Sequence, residues 1–408
     1  MAFNSLFDFT LDFGNLPCSR CLISLVLLPI HQEGPLKKKK KNIRGLSLKE
    51  LQDFVESLGE RKYRAAQLFS WMYAKGAQSF DEMTDISKEF RVVLEHSARI
   101  DSLDLVRKSV SPTDGTTKFL FRLNDNLMIE SVLIPPEETS PAAERRLTLC
   151  LSTQVGCPLD CKFCATGTMG FLRNLTAGEI IDQVTHAQRH ASRRITNLVY
   201  MGMGEPMLNY EEVMKSVDIL SDDRSLNIGA KHIAISTAGY ADKIRQMADE
   251  DRKEKLAISL HTLDNEKRTQ LMPITKKFSV DDLVEALEYY YRKTRRRPTF
   301  EYIPFDGFND TKEDIRRFVK LSKRIPCKVN IIPFHSIAFT GASGFAATLK
   351  PTPRVRMEAF AQALREENIT VMVRSSAGED IEAACGQLAV EEKKSKAKSK
   401  PTITETVS

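Results

Sequence analysis

Three cysteines crowd one short stretch, Cys157-Pro-Leu-Asp-Cys161-Lys-Phe-Cys164. Structural zinc takes four protein ligands, and no fourth Cys or His sits close to this run. A cubane [4Fe–4S] cluster has four irons and normally four cysteine thiolates. Three cysteines would leave one iron open to another ligand. Zinc binding and plain structural cysteines stay open as alternatives. Gly202-Met-Gly204-Glu205-Pro206 adds a turn in which two glycines let backbone approach a ligand closely. Glu205 there can accept from an ammonium group. Ser236 and the run Ser259-Leu260-His261 offer hydroxyls and an imidazole for a ribose or carboxylate. Each alone reads equally well as the cap of a strand end. Cys150, Cys327 and Cys385 taken singly are small residues suited to burial, and Glu130 is a carboxylate on a strand.

A folded frame has to hold these groups. The chain has 408 residues, 42% hydrophobic and 28% charged, which excludes global disorder and fibrous repeats. Its net charge of +6 is too small to announce a nucleic-acid partner, so local clusters matter more. The apolar run Leu22–Ile30 is too short to span a bilayer, and no membrane association is expected. Eight cysteines, three of them clustered, suit a metal site in a reducing compartment better than a disulfide scaffold.

Residues 1–45 hold Cys18, Cys21 and the lysine run Lys37–Lys41, and read as a disordered or targeting extension. Residues 46–100 read as a helical accessory domain opened by the capping box Ser47-Leu-Lys-Glu50. Arg61, Lys62, Arg64 and Lys75 there are either a solvated face or an RNA-contacting one. Residues 101–146 form a β-hairpin region around Asn124-Asp-Asn126. From 147 strands and helices alternate, with strands near 147–153, 196–202, 231–237, 255–261, 299–305 and 327–333, and a later one at 369–374. Helices fall near 176–191, 209–221, 279–293, 311–324 and 353–366. The fold class is α/β, a partial (β/α)6 barrel over 147–388, since a full eight-unit barrel needs about 250 residues. The chemistry-bearing motifs fall at the C-terminal ends of its strands, the functional face of such sheets. Residues 389–408 read as a basic disordered tail. Arg292-Lys-Thr-Arg-Arg-Arg297 either complements a helix C-terminus or binds phosphates.

The cysteine triplet with Phe163, together with the glycine turn, resembles the radical S-adenosylmethionine (SAM) enzymes. In these the cofactor's amino and carboxylate groups chelate the open iron, and one electron yields a 5′-deoxyadenosyl radical. Over most of residues 47–390 the chain resembles the RlmN family, radical SAM methyltransferases of adenine C2 in large-subunit ribosomal RNA and, in dual-specificity members, transfer RNA. The carrying segments are Thr148–Cys157, Gly170-Phe-Leu-Arg-Asn-Leu175, Gly202–Pro206 and, most specifically, Gly378-Glu-Asp-Ile-Glu-Ala-Ala-Cys-Gly-Gln-Leu388.

The resemblance implies roles residue by residue. Cys157, Cys161 and Cys164 would hold the cluster. Gly204, Glu205, Ser236, Ser259, Leu260, His261 and His335 would contact SAM. Cys385 would carry the methyl group, Cys150 would resolve the RNA adduct by a transient disulfide, and Glu130 would accept the C2 proton. Adenine C2 is electron-poor and cannot attack a methyl sulfonium, whereas a thiolate can, so two SAM molecules act in turn. Turnover then needs a one-electron reductant and a thiol reductant, and the base must leave its stack to reach the barrel mouth. A monomer in the cytoplasm is expected, with plastid stroma as the alternative compartment. Departures are the extra residues Glu137–Glu144, His335 where many relatives carry Asn, and the loop Phe339–Leu349. Methylation at adenine C8, or a non-catalytic iron–sulfur RNA-binding role, are the competing readings; retention of both Cys150 and Cys385 argues against the latter.

Overall fold

The computed structural model describes residues 40–136 and 146–390. Cys18, Cys21, most of the lysine run, the extra residues Glu137–Glu144 and the tail from 391 lie outside the described residues.

Local signals build the accessory helices. Ser47 caps α1 (Leu48–Ser57), its hydroxyl accepting from the Glu50 N–H while the Glu50 carboxylate accepts from the Ser47 N–H. α2 (Tyr63–Phe69) widens into a π-turn over Ser70–Ala74, and Ser87 caps α3 (Lys88–Ser97). β1 (Lys41–Asn42) pairs in parallel with β2 (Ala98–Arg99), so this unit includes residues before the boundary expected at 45.

β3 (Asp104–Val110), β4 (Thr117–Arg122) and β5 (Met128–Ile134) form an antiparallel meander, one strand more than the expected hairpin. β5 pairs antiparallel with β6 (Thr148–Cys150). After Cys150 the chain leaves the sheet, and β7 (Gln154–Gly156) instead pairs with β8 (Phe171–Asn174). Thus the strand expected over 147–153 ends at Cys150. α4 (Ala177–His190) then leads to β9 (Asn197–Tyr200) and α5 (Tyr210–Ser221) to β10 (Ile233–Thr237). α6 (Ala241–Asp249) precedes β11 (Lys255–Ser259), and α7 (Asn265–Leu271) and α8 (Val280–Thr294) precede β12 (Thr299–Tyr302). α9 (Lys312–Arg324) leads to β13 (Lys328–Ile331); α10 (Phe345–Thr348) and α11 (Arg354–Glu366) lead to β14 (Thr370–Val373).

All these sheet strands except β1, β2, β7 and β8 join one ten-stranded sheet, in the order β14-β13-β12-β11-β10-β9-β6-β5-β4-β3. From β6 to β14 every pairing is parallel. The fold is therefore the expected α/β partial barrel, extended by β14 at one edge and the meander at the other. Strands such as β9 and β11 are apolar on both faces because helices cover one side and the barrel interior the other.

Candidate active site

The triplet loop is fastened on three sides. The Cys157 N–H donates to the Gly170 carbonyl at 2.8 Å, the Lys162 N–H to Leu271 of α7 at 2.9 Å, and the Ala165 N–H to Gly386 at 2.7 Å. All three cysteines are half-buried. Burial first, then mutual repulsion, pushes two of the thiols up, Cys157 to about 12 and Cys161 well above its ordinary value. Metal binding would release these protons. Among the described residues no three Cys, His, Asp or Glu side chains converge on a single-ion site. Thiolates bound to separate irons of a cubane need not converge so closely, whereas zinc ligands must.

Next to this loop the strand ends present polar groups. Glu205 follows β9 and is buried, its oxygens accepting from the Met207 N–H at 3.0 Å and the Ala238 N–H at 2.8 Å. Burial raises its pKa to about 7, although those N–H groups oppose the shift. It forms no ion pair with a described residue, so a buried acceptor awaits a cation. Gly204 has φ +102°, and a Cβ there would lie 2.6 Å from the Gln154 side chain. Gly202 would similarly meet the Leu151 carbonyl at 2.7 Å. Close packing of the turn onto the chain after β6, rather than open approach to a ligand, uses these glycines.

Ser236 and Ser259 sit half-buried in β10 and β11. Leu260 is buried and its N–H donates to the Glu301 carbonyl at 3.1 Å. His261 holds φ +57°, a conformation rare outside glycine. Its Nδ1 accepts from the Ile303 N–H at 3.1 Å, and its buried Nε2 has no partner among the described residues. Burial holds its pKa down to about 3, so the ring is neutral and Nε2 carries a hydrogen to donate. Phe163 of the triplet loop packs edge-on against this ring, centroids 4.5 Å apart. His335 follows β13 and is buried; its Nδ1 lies 3.3 Å from Glu379 Oε1 without hydrogen-bond alignment.

The C-terminal segment crosses this face. Gly378 donates to Asp114, Asp380 accepts from the Ser111 hydroxyl at 3.0 Å, and the Leu388 carbonyl accepts from Thr166 at 2.6 Å. These contacts put Cys385 within electrostatic reach of Cys164 and Cys150. Cys385 is exposed, yet the protein around its thiol raises its pKa. Cys150, at the end of β6, is buried and its thiol is also pushed up, by burial first and the Cys385 charge second. Glu130 is no exposed strand carboxylate: it is buried, 3.4 Å from Lys118 Nζ, and accepts from the Ala389 N–H at 3.1 Å. Burial raises its pKa against the opposing pull of Lys118.

Three neighbours escaped the sequence reading. Arg268 of α7 is fully buried and has no carboxylate partner among the described residues. Its guanidinium donates to the carbonyls of Ala238 (2.6 Å), Ser259 (3.0 Å) and Leu260 (3.2 Å), and its charge acts on Cys161. Burial lowers its pKa only to about 10, so it stays charged. Glu301 on β12 is buried, with its pKa raised to about 7, and it and Arg374 act in opposite senses on the Cys385 thiol. α7 is almost wholly polar, so no periodicity marked Arg268 as interior.

The basic run Arg292–Arg297 does not join this face. Arg292 lies over the Tyr289 ring, Arg295 is an exposed left-handed cap of α8, and Arg296 pairs with Asp251. All precede β12, at the N-terminal end of the barrel.

Family models match in two places. Residues 41–100 match the ribosomal RNA large subunit methyltransferase N-terminal domain, and residues 151–321 match the radical SAM superfamily. A Cytophaga hutchinsonii protein named "Probable dual-specificity RNA methyltransferase RlmN" is 44% identical over 360 residues, 87% of this chain and 94% of its own. The chain belongs to the RlmN family. A Thermotoga sp. RlmN relative is likewise 44% identical, covering 87% of this chain and 99% of the relative. A solved radical SAM methyltransferase from Sphaerobacter thermophilus superposes with a TM-score of 0.77 at 39% identity, over 85% of this chain and 99% of that one. This RlmN-family chain is a radical SAM RNA methyltransferase, and its superfamily implies a [4Fe–4S] cluster and SAM. The residues present fit both groups. Three half-buried thiols on one loop suit a cluster, and the buried Glu205 carboxylate and the His261 Nε2, without a partner among the described residues, suit a cationic, hydrogen-bonding cofactor. No helix among the described residues is long and apolar enough to cross a membrane.

Proposed function

We propose that this protein methylates C2 of adenine in large-subunit ribosomal RNA, and in transfer RNA as a second substrate, using two cysteines in turn. The observation that carries the reading is that the segment bearing Cys385 is bonded to the cluster loop, Gly386 accepting from the Ala165 N–H at 2.7 Å, while the Cys385 charge acts on Cys150 from another part of the chain. A methyltransferase acting directly from SAM to its substrate needs neither thiol. The printed name of the bacterial relatives, dual-specificity RNA methyltransferase, supports the pair of substrates.

Cys157, Cys161 and Cys164 would hold the cluster; Glu205 would take the ammonium group of SAM, with Gly204, Ser236, Ser259, Leu260, His261 and His335 around the rest. When bound, these groups supply a methyl donor and a one-electron route to a carbon radical. Cys385 loses its proton and takes a methyl group. Its methyl carbon, once a hydrogen atom has been removed, bonds to adenine C2, tying RNA to protein. Glu130 accepts the C2 proton; its raised pKa and the adjacent Lys118 suit a carboxylate that must be anionic first and protonated afterwards. The adduct gives up its unpaired electron, which the cluster, when bound, would accept. Cys150 then attacks the Cys385 sulfur, and the electron pair of the sulfur–methylene bond stays with the carbon. That carbon takes a proton to become the methyl group, and methylated RNA leaves. The resulting disulfide consumes a thiol reductant each cycle, and a separate one-electron donor serves the cluster. We assign the protein to a reducing compartment, the cytoplasm, and to a monomeric state. Nucleoside mass spectrometry of ribosomal and transfer RNA, with and without the enzyme, tests the reading. 2-Methyladenosine dependent on the protein is expected; 8-methyladenosine, or no change, would replace it.

A further inference from the structure

At the end of the barrel away from the cysteines lies a cavity of about 740 Å³, within the range of small-ligand sites. It opens at the N-terminal ends of four adjacent strands: Lys231 precedes β10, Lys255 opens β11, Arg297 precedes β12 and Lys328 opens β13. Leu256 and Tyr290 supply a wall, and the buried Tyr290 hydroxyl makes no well-aligned hydrogen bond.

Part of the lining charge is already balanced. Arg296 and Lys253 pair with Asp251, and Glu254 pairs with Arg252. Lys231, Lys255, Arg297 and Lys328 form no ion pair with a described residue. Lys255 and Lys328 stand on strands separated by one other, strands roughly 10 Å apart across the sheet. They are offset by two residues along it, since Lys328 shares the row of Thr299 and Ala257. Partial burial first, then the charges of Arg146 and Lys328, weakens the hold of Lys255 on its proton. A patch of cations in self-repulsion is stabilised by a polyanion, and the two-strand spacing favours an anion with more than one charged centre over a single carboxylate. None of the groups assigned to the chemistry lies at this end, so a ligand here anchors or regulates and does not react.

We propose that this cavity binds a phosphate-rich anion through Lys231, Lys255, Arg297 and Lys328. The phosphates belong either to the RNA backbone beyond the modified adenine or to a free polyphosphate. The inference does not depend on the reading of the two cysteines, since its test requires no turnover.

The full-length protein is titrated with inorganic tripolyphosphate by calorimetry at low salt, and with substrate RNA across a salt series. The comparison is with Lys255→Gln/Lys328→Gln, and with Arg295→Gln as a control outside the cavity. If the phosphates are a free ligand's, tripolyphosphate binds saturably and the double variant weakens it roughly tenfold, with no change in the RNA salt slope. If they are the RNA's, the double variant flattens the slope of log affinity against log salt by about two, one for each lost phosphate contact. In either case Arg295→Gln leaves the affected quantity unchanged. The melting temperature of the double variant is expected to equal or exceed that of the parent, because repulsion is relieved; this separates lost binding from lost folding. Unchanged tripolyphosphate affinity together with an unchanged RNA slope overturns the proposal.

Discussion

At the residue scale the decisive feature is a division of labour between two thiols. Cys385→Ala should give neither methylated protein nor methylated RNA. Cys150→Ala should still load Cys385 and add to RNA but fail to release it, giving a nuclease-sensitive covalent band on a denaturing gel. A packing defect would predict the same phenotype for both, so normal turnover by Cys150→Ala would remove its resolving role. Glu205 makes a prediction in pH. Its pKa, raised by burial to about 7, exceeds the roughly 4.5 of an exposed glutamate. The folded, cofactor-free protein therefore holds a proton that the unfolded chain releases. The resulting stability, roughly 3 kcal/mol, is fully present below about pH 4.5 and lost as pH rises through about 7. Glu205→Gln should flatten the melting-temperature profile across that window relative to the parent. SAM affinity should run the other way, strengthening as pH rises and Glu205 becomes anionic. Superimposable melting profiles would mean that Glu205 is ionised throughout.

At the scale of elements, the accessory helices are locked to the barrel rather than tethered to it. Arg44, between β1 and α1, donates to the carbonyls of Met72, Ala77 and Asp101 and lies 3.2 Å from Asp182 of α4. Both side chains are buried, and the Arg44 charge helps hold the Asp182 carboxyl far below its usual range despite burial. Gly45 and Gly178 make this approach possible: a Cβ on Gly45 would lie 2.4 Å from the Gly178 nitrogen. Arg44→Met should leave a buried carboxylate short of its cation and cost about 3–5 kcal/mol, read as a lower urea midpoint. A change below about 1 kcal/mol would show that Ser102, His186 and the Leu103 N–H suffice for Asp182. α7 has a comparable duty towards the triplet loop. Arg268→Met should lower the cluster's reduction potential, since it removes the buried cation whose field reaches Cys161, while leaving iron content intact; an unchanged potential in an equilibrium redox titration would confine Arg268 to capping carbonyls.

Across the whole molecule, one segment closes the structure. Residues 378–390 run from β14 to the meander and the triplet loop, touching Ser111, Asp114, Lys118, Glu130, Ala165 and Thr166. The proposed methyl carrier, proton acceptor and cluster loop are thereby held by one strap. Asp380→Ala removes the acceptor of the Ser111 and Thr113 hydroxyls at its start. Iron content should stay near parent level while the rate of methyl loading on Cys385 falls several-fold, followed by intact-protein mass spectrometry. Loss of iron in parallel would show that the strap supports the loop itself.

Patterns confined to short stretches were legible in the chain alone. The capping boxes, the alternation of parallel strands and helices, the Cys157–Cys164 spacing and the Gly378–Leu388 motif need only neighbours in sequence, because hydrogen-bond geometry and side-chain periodicity act over a few residues. α6, α7 and the β7–β8 pairing were not legible: the first is short, the second is nearly all polar, and the third depends on the chain leaving the sheet after Cys150. Burial of Glu130 was equally hidden, since it depends on Lys118 and Ala389, the latter 259 positions away. The same holds for the buried charge of Arg268 and for the electrostatic influence of Cys385 on Cys150. Composition places no residue in space. Those contacts join segments far apart in the chain, and only the folded barrel, by excluding water and fixing the strand ends side by side, decides which distant groups share an environment.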